Sequence, residues 1–170
     1  MKIEIIPVVE EEKQILSHLI ELYEYDFSEY GDSDVNKLGL YGYSYLDYYW
    51  TEERRHPYFI VVDGNLAGFV LVCDYCYVLK NSNANLIAEF FVMKKYRKHG
   101  VGSYAAKYIF DLFKGSWELT INPYNPISQK FWTKVISEYT KNKYEIHKDI
   151  EGVYDDCLAT AYTFDITNED

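Results

Sequence analysis

Glu89-Phe90-Phe91-Val92-Met93-Lys94-Lys95-Tyr96-Arg97-Lys98-His99-Gly100-Val101-Gly102-Ser103 is the stretch that decides the fold. Its first half closes the apolar run Ala84 to Met93, which reads as a strand covered on both faces and so as the centre of a sheet. Beyond it, Tyr104, Ala105, Tyr108, Ile109, Leu112 and Phe113 recur with helical spacing, and Gly115 reads as the stop. The basic segment between is therefore a turn that opens a helix. At such a helix start, unpaired backbone N–H groups and the helix dipole favour an anion. Gly100 and Gly102 carry no Cβ, which lets phosphate oxygens approach the main chain. Lys94, Lys95, Arg97, Lys98 and His99 gather positive charge in a chain whose formal net charge is -10.

Two other phosphate-binding patterns compete for these residues. A Walker A loop needs G-x-x-x-x-G-K-[ST], which is absent. Gly100-Val101-Gly102-Ser103-Tyr104-Ala105 does satisfy the dinucleotide pattern G-x-G-x-x-G/A. That fold, however, places an acidic ribose partner at the end of the next strand. Here Trp117 to Ile121 ends at Asn122, and Glu118 sits at the opposite end.

Working outward, Lys2 to Val8 reads as a first strand, and Ile15, Leu16, Leu19, Ile20, Leu22 and Tyr23 form the buried stripe of a helix running to about Phe27. Ser28 to Glu53 is acidic and tyrosine-rich, with a short helix near Tyr45 to Trp50. Tyr58 to Val62 and Leu66 to Leu79 read as two antiparallel strands about the turn Asp63-Gly64-Asn65. Pro126, Ile127, Phe131, Val135 and Ile136 outline a further helix, and two strands near Tyr144 to Ile150 and Cys157 to Phe164 close the chain. Hairpins mixed with two helical crossovers predict an α/β fold in one domain over residues 1–170: a mixed, largely antiparallel sheet flanked by helices on both faces.

At this point Arg97-x-x-Gly100-x-Gly102 resembles the Q/R-x-x-G-x-G/A pyrophosphate motif of the GNAT superfamily of N-acetyltransferases, and the element order resembles that fold over nearly the whole chain. Asn125-Pro126-Ile127-Ser128-Gln129-Lys130-Phe131-Trp132 is similar to the family segment N-x-x-A-x-x-F-Y. The resemblance implies acetyl-CoA as co-substrate, gripped by the turn Arg97, Lys98, His99, Gly100, Val101, Gly102 and Ser103. It further places the pantetheine arm along Phe91, Val92 and Met93, with Asn125 and Ser128 nearby. Asn125 also reads simply as a helix-start asparagine.

The same resemblance implies direct attack of a primary amine on the thioester. An ammonium of pKa about 10.4 must lose a proton before it attacks, so a base is needed. Glu89, a carboxylate inside an apolar strand, is the candidate base; a structural carboxylate is the alternative. The Val92 N–H is the candidate oxyanion donor. Trp132 stands where the family often has a tyrosine that protonates the departing thiolate, and an indole N–H is no acid at neutral pH. Tyr124, another tyrosine or solvent would have to substitute, and a non-catalytic acyl-CoA-binding module stays open as an alternative. The stretch Tyr23 to Glu53, with Asp26, Glu29, Asp32, Asp34 and Asp47, is expected to meet a small cationic amine by charge and by aromatic faces.

Composition bounds the rest. The acidic balance disfavours nucleic acid and anionic membrane as partners, since both would repel it. No run is long enough to span a bilayer and the start lacks a signal-peptide core, so a cytoplasmic location is expected. Cys73 and Cys76 form a C-x-x-C inside an apparent strand, where residues three apart point to opposite faces. No metal site is expected, and a homodimer through the last strands would be ordinary.

Overall fold

The computed structural model describes residues 1–166. Seven strands, β1 (Ile3–Pro7), β2 (His56–Val62), β3 (Asn65–Cys73), β4 (Asn85–Val92), β5 (Gly115–Ile121), β6 (Glu145–Ile150) and β7 (Ala159–Ile166), form one sheet in the order β1-β2-β3-β4-β5-β7-β6. The apolar run ending at Val92 is its central strand. Every pairing is antiparallel except β4 with β5. Helix α1 (Lys13–Phe27) follows β1, α2 (Val101–Leu112) links β4 to β5, and α3 (Pro126–Thr140) links β5 to β6.

Two cores result, one on each face. Leu16, Leu19, Ile20 and Tyr23 of α1 pack on Phe59, Phe69, Leu71 and Phe91. Ala105, Ala106, Ile109 and Phe110 of α2, with Trp132, Val135 and Ile136 of α3, pack on Ile60, Val70, Val72, Ile87 and Trp117. The small residues Ala105 and Ala106 let α2 lie close to the sheet.

The observed elements differ from the sequence reading at two places that matter for the site. First, β3 ends at Cys73 and does not continue to Leu79. Tyr77, Val78 and Leu79 instead donate their main-chain N–H groups to the fully buried carboxylate of Glu118 on β5, at 2.8, 2.9 and 2.9 Å. A carboxylate that accepts several amide bonds repays its own burial and replaces the ladder those amides would otherwise need. Cys73 and Cys76 consequently do not lie on opposite faces of a strand; both are free thiols on the wall of one cleft. Second, Gly115 opens β5 rather than stopping α2, with φ 113° and Asn83 O 2.5 Å from where a Cβ would stand.

Candidate active site

β4 and β5 pair only through Asn85↔Trp117, Leu86↔Glu118 and Ile87↔Leu119, after which they part. The parting coincides with a β-bulge in β4, where Leu71 faces Glu89 but Val72 faces Ile87, leaving Ala88 as the extra residue. A bulge bends its strand and shifts the face of every side chain beyond it. Ile87 belongs to the α2 side, so unbroken alternation would have put Glu89 there too. The bulge turns Glu89 toward α1.

There Glu89 meets two tyrosines. Tyr23 of α1 donates its hydroxyl to Oε2 at 2.5 Å, and Tyr43 donates to Oε1 at 3.2 Å. Burial pushes the Glu89 carboxyl up to about 7, a rise that these hydrogen bonds oppose and the neighbouring Glu24 charge assists. Burial, and then the Glu89 charge, raises both tyrosine hydroxyls well above their ordinary range. Glu89 is thus neither paired with a cation nor turned to bulk solvent.

The gap between the strands opens into a cleft of about 1380 Å³. One wall is Ile87 to Phe90, another is Leu119 to Asn122, and tyrosines that include Tyr23, Tyr43, Tyr49, Tyr77 and Tyr154 fill much of the remainder. The carboxylates on it are Glu24, Asp32, Glu89, Glu151, Asp155 and Asp156, against Arg55 and Lys80. Of the acids expected to meet the acceptor, Asp26, Glu29, Asp32, Asp34 and Asp47, Asp32 alone lines the cleft. Asp47 is ion-paired with Lys13 at 2.6 Å on the surface, and Asp26 is bound to Arg97 and Lys94. The acids of the β6–β7 loop carry no sequence signal beyond their charge; the topology brings them in, because β7 inserts between β5 and β6.

The turn after β4 is built differently from its sequence reading. Arg97 does not reach outward: its Nε donates to Val92 O at 2.7 Å, and its guanidinium meets Asp26 at 2.5 Å. Burial works to raise the Asp26 carboxyl, but the hydrogen bonds and charges of Arg97 and Lys94 outweigh it and hold it below its ordinary value. The side chain therefore ties the turn to α1 and spends its charge internally, as does that of Lys94. Lys98 and His99 stay exposed. Gly100, at φ 81°, is the left-handed residue that starts α2, with open space where a Cβ would lie. Gly102 serves packing instead, since a Cβ there would stand 3.1 Å from the Phe131 ring. The first helical bond runs from Tyr104 N–H to Gly100 O, and among the described residues nothing accepts from the N–H groups of residues 98–103.

Along β4 the main-chain groups alternate in direction. Met93 N–H bonds Ala67 O at 2.8 Å, so Phe91 and Met93 face β3, while Phe90 and Val92 face the gap. Of the three residues that the family resemblance places along the cofactor, Val92 turns its main-chain groups to the gap, whereas Phe91 and the Met93 N–H are directed to β3. Asn125 caps α3, its Oδ1 accepting from Ser128 N–H at 2.9 Å, and Ser128 lines the cleft. Trp132 also lines it, edge-on to Phe90 with ring centroids 4.8 Å apart. Tyr124 is 66% exposed and stands off the cleft wall.

The sequence profile of the acetyltransferase (GNAT) family matches residues 14–136, most of the chain. The chain belongs to the GNAT acetyltransferase family. Its members are acyltransferases that use acetyl-CoA. No curated protein matches the chain in sequence. Among solved structures, an acetyltransferase from Thermus thermophilus aligns with TM-score 0.71 at 12% identity, covering 98% of each chain. A GNAT acetyltransferase from Staphylococcus aureus Mu50 gives 0.66 at 15%, covering 98% of this chain and 100% of that one. The aminoglycoside acetyltransferase AAC(6')-Ib, in complex with coenzyme A and kanamycin, gives 0.70 at 12%, covering 96% and 95%. These likenesses show the shared fold. Among the described residues no helix is long and apolar enough to cross a membrane, and no group of three or more His, Cys, Asp or Glu is placed to hold a metal.

Proposed function

We propose that this single-domain GNAT protein transfers the acetyl group of acetyl-CoA to a primary amine carried by a small cationic acceptor, by direct attack. The observation that carries the reading is Glu89 itself, a carboxyl raised to about 7 on the strand that borders the gap, where a general base of neutral pH is needed. Acetyl-CoA, when bound, supplies the thioester. The free N–H groups of residues 98–103, supported by exposed Lys98 and His99, suit its diphosphate, and Ser103 lies in the same first turn of α2. Phe90 and Val92, whose main-chain groups face the gap, suit its pantetheine arm, and Val92 N–H is the donor for the acyl oxygen. Asn125 and Ser128 border that arm from the start of α3. Trp132 offers no useful acid, so the proton for the departing thiolate comes from a tyrosine of the cleft such as Tyr77 or Tyr154, or from solvent.

The acceptor reading rests on the surplus of carboxylates over cations on the cleft wall, interleaved with aromatic faces that hold ammonium and alkyl groups. The kanamycin-bound neighbour of the same fold has an acceptor of this chemistry. A thiol-release assay over a panel of amines tests it: spermidine, kanamycin and lysine amide are expected to outpace glycine and glutamate. A preference for the neutral or anionic amines rejects the cationic site. Binding of acetyl-CoA with no amine acetylated favours the alternative that Trp132 raises, a non-catalytic acyl-CoA-binding module. The free thiols Cys73, Cys76 and Cys157 suit a reducing, cytoplasmic setting.

A further inference from the structure

The two hydroxyls that meet Glu89 are held in different ways. Tyr23 is fixed by the ladder of α1, but Tyr43 lies in the stretch between α1 and the 3-10 turn Leu46–Trp50, which forms neither helix nor strand. Ordering such a stretch costs conformational entropy, so a bond made from it needs an anchor nearby. Glu21 of α1 supplies one. Its carboxylate takes two successive main-chain amides, Tyr41 N–H on Oε2 and Gly42 N–H on Oε1, each at 2.8 Å. An ionised carboxylate only accepts, has an oxygen for each of two donors, and forms charge-assisted bonds with amides. Gly42, at φ 74°, turns the chain directly into Tyr43, whose ring packs on the α1-side core and whose hydroxyl reaches Glu89 Oε1. Glu21 does not itself line the cleft, so any effect it has there passes through this segment.

We propose that Glu21 is a positioning residue for Glu89: its carboxylate clamps the Tyr41 and Gly42 amides and thereby holds the Tyr43 hydroxyl on the Glu89 carboxylate. α1 then sets both phenols that grip Glu89, Tyr23 directly and Tyr43 through Glu21. The same clamp steadies the tyrosine wall of the cleft, because Tyr45 packs edge-on to Tyr43 with ring centroids 6.0 Å apart and both line it. The catalytic meaning of the clamp rests on the reading of Glu89 given above. A carboxylate that merely tied a loop to a helix would leave Glu89 indifferent to its removal.

The test is a pH titration of the Glu89 side-chain carboxyl by carbon-13 NMR in wild type, Glu21→Ala, Glu21→Gln, Tyr43→Phe and the Glu21→Ala/Tyr43→Phe double variant. A hydroxyl donated to a carboxylate favours its ionised form, so release of Tyr43 raises the Glu89 midpoint. Loss of a neighbouring negative charge lowers it, so the sign separates an opened clamp from the missing Glu21 charge. The other groups facing Glu89 are Tyr23 and Glu24 of α1, Tyr49 of the 3-10 turn, Cys73 at the end of β3, Tyr77 of the loop after it and Tyr154 of the β6–β7 loop, and all stay unchanged. Glu21→Ala is expected to raise the midpoint by about half a pH unit and to place it above that of Glu21→Gln, which loses the same charge but keeps one acceptor oxygen. In the Tyr43→Phe background it is expected to raise nothing further. With a responsive amine, kcat should fall about tenfold while calorimetry reads an unchanged Kd for acetyl-CoA. An unmoved or lowered midpoint in Glu21→Ala overturns the proposal, and so does a rise that persists without the Tyr43 hydroxyl. The titration needs no turnover, so a protein that acetylates no amine would sink the acetyltransferase reading while leaving this measurement decisive.

Discussion

Glu89→Gln is expected to lower kcat/KM for the acceptor amine by on the order of a hundredfold or more while raising the melting temperature at pH 8. The two effects share one cause. The unfolded chain releases this proton near 4.5 and the folded protein keeps it to about 7. Between those values the folded state binds the extra proton, so the stability contribution is complete below pH 4.5 and is lost as pH rises through 7. Each pH unit across that window is worth about 1.4 kcal/mol, which makes the ionised carboxylate a cost of roughly 3–4 kcal/mol at pH 8. Glutamine keeps the shape, still meets the hydroxyls of Tyr23 and Tyr43, and carries no charge to bury. The gain should vanish at pH 4, where the carboxyl is neutral in both states. Thermal scans at the two pH values with steady-state kinetics check this. Equal stability of the two proteins at pH 8 would mean that Glu89 is ordinary in its folded environment, and unaltered kinetics would remove it as the base.

Gly68→Ala is the second large effect, and it falls on a residue with no chemistry. A Cβ at position 68 would lie 1.9 Å from Phe91 O and 2.9 Å from Phe91 C, both main-chain atoms that no rotamer change can move. β3 and β4 would have to separate at Gly68↔Val92, the pair next to the strand end that carries the gap-facing Val92 amide. The expected loss is more than about 3 kcal/mol in urea denaturation. A weaker hold on acetyl-CoA should accompany it, because Val92 O also anchors Arg97 and through it the turn. Near wild-type stability would show that the strands are not packed as closely as described.

Much of this architecture is legible in the residues because it rests on local signals. Apolar spacing marks α1, α2 and α3; Asp63-Gly64, both at positive φ, marks the β2–β3 turn; an uninterrupted apolar run marks β4 as central. What escapes the sequence depends on partners far along the chain. Tyr75 to Leu79 has the β-branched and aromatic content of a strand, yet Glu118, about forty residues on, takes its amides. Arg97 reads as one of the charges gathered in a basic turn, yet Asp26, 71 residues back, claims its guanidinium. Nothing in Ile-Ala-Glu-Phe announces a bulge at Ala88, although that one extra residue decides which face receives Glu89. Glu21 is one acid among 27 until its carboxylate is seen to take the amides of Tyr41 and Gly42.

The proposed function depends above all on main-chain amides ahead of and within the first turn of α2 holding the diphosphate of acetyl-CoA. Calorimetric titration of the folded protein with acetyl-CoA and with S-acetylpantetheine, which has the same arm and thioester but no diphosphate, tests it most directly. One site for acetyl-CoA is expected, with the truncated donor bound more weakly by roughly a hundredfold or more. Equal affinities for the two, or no heat with acetyl-CoA, would contradict it.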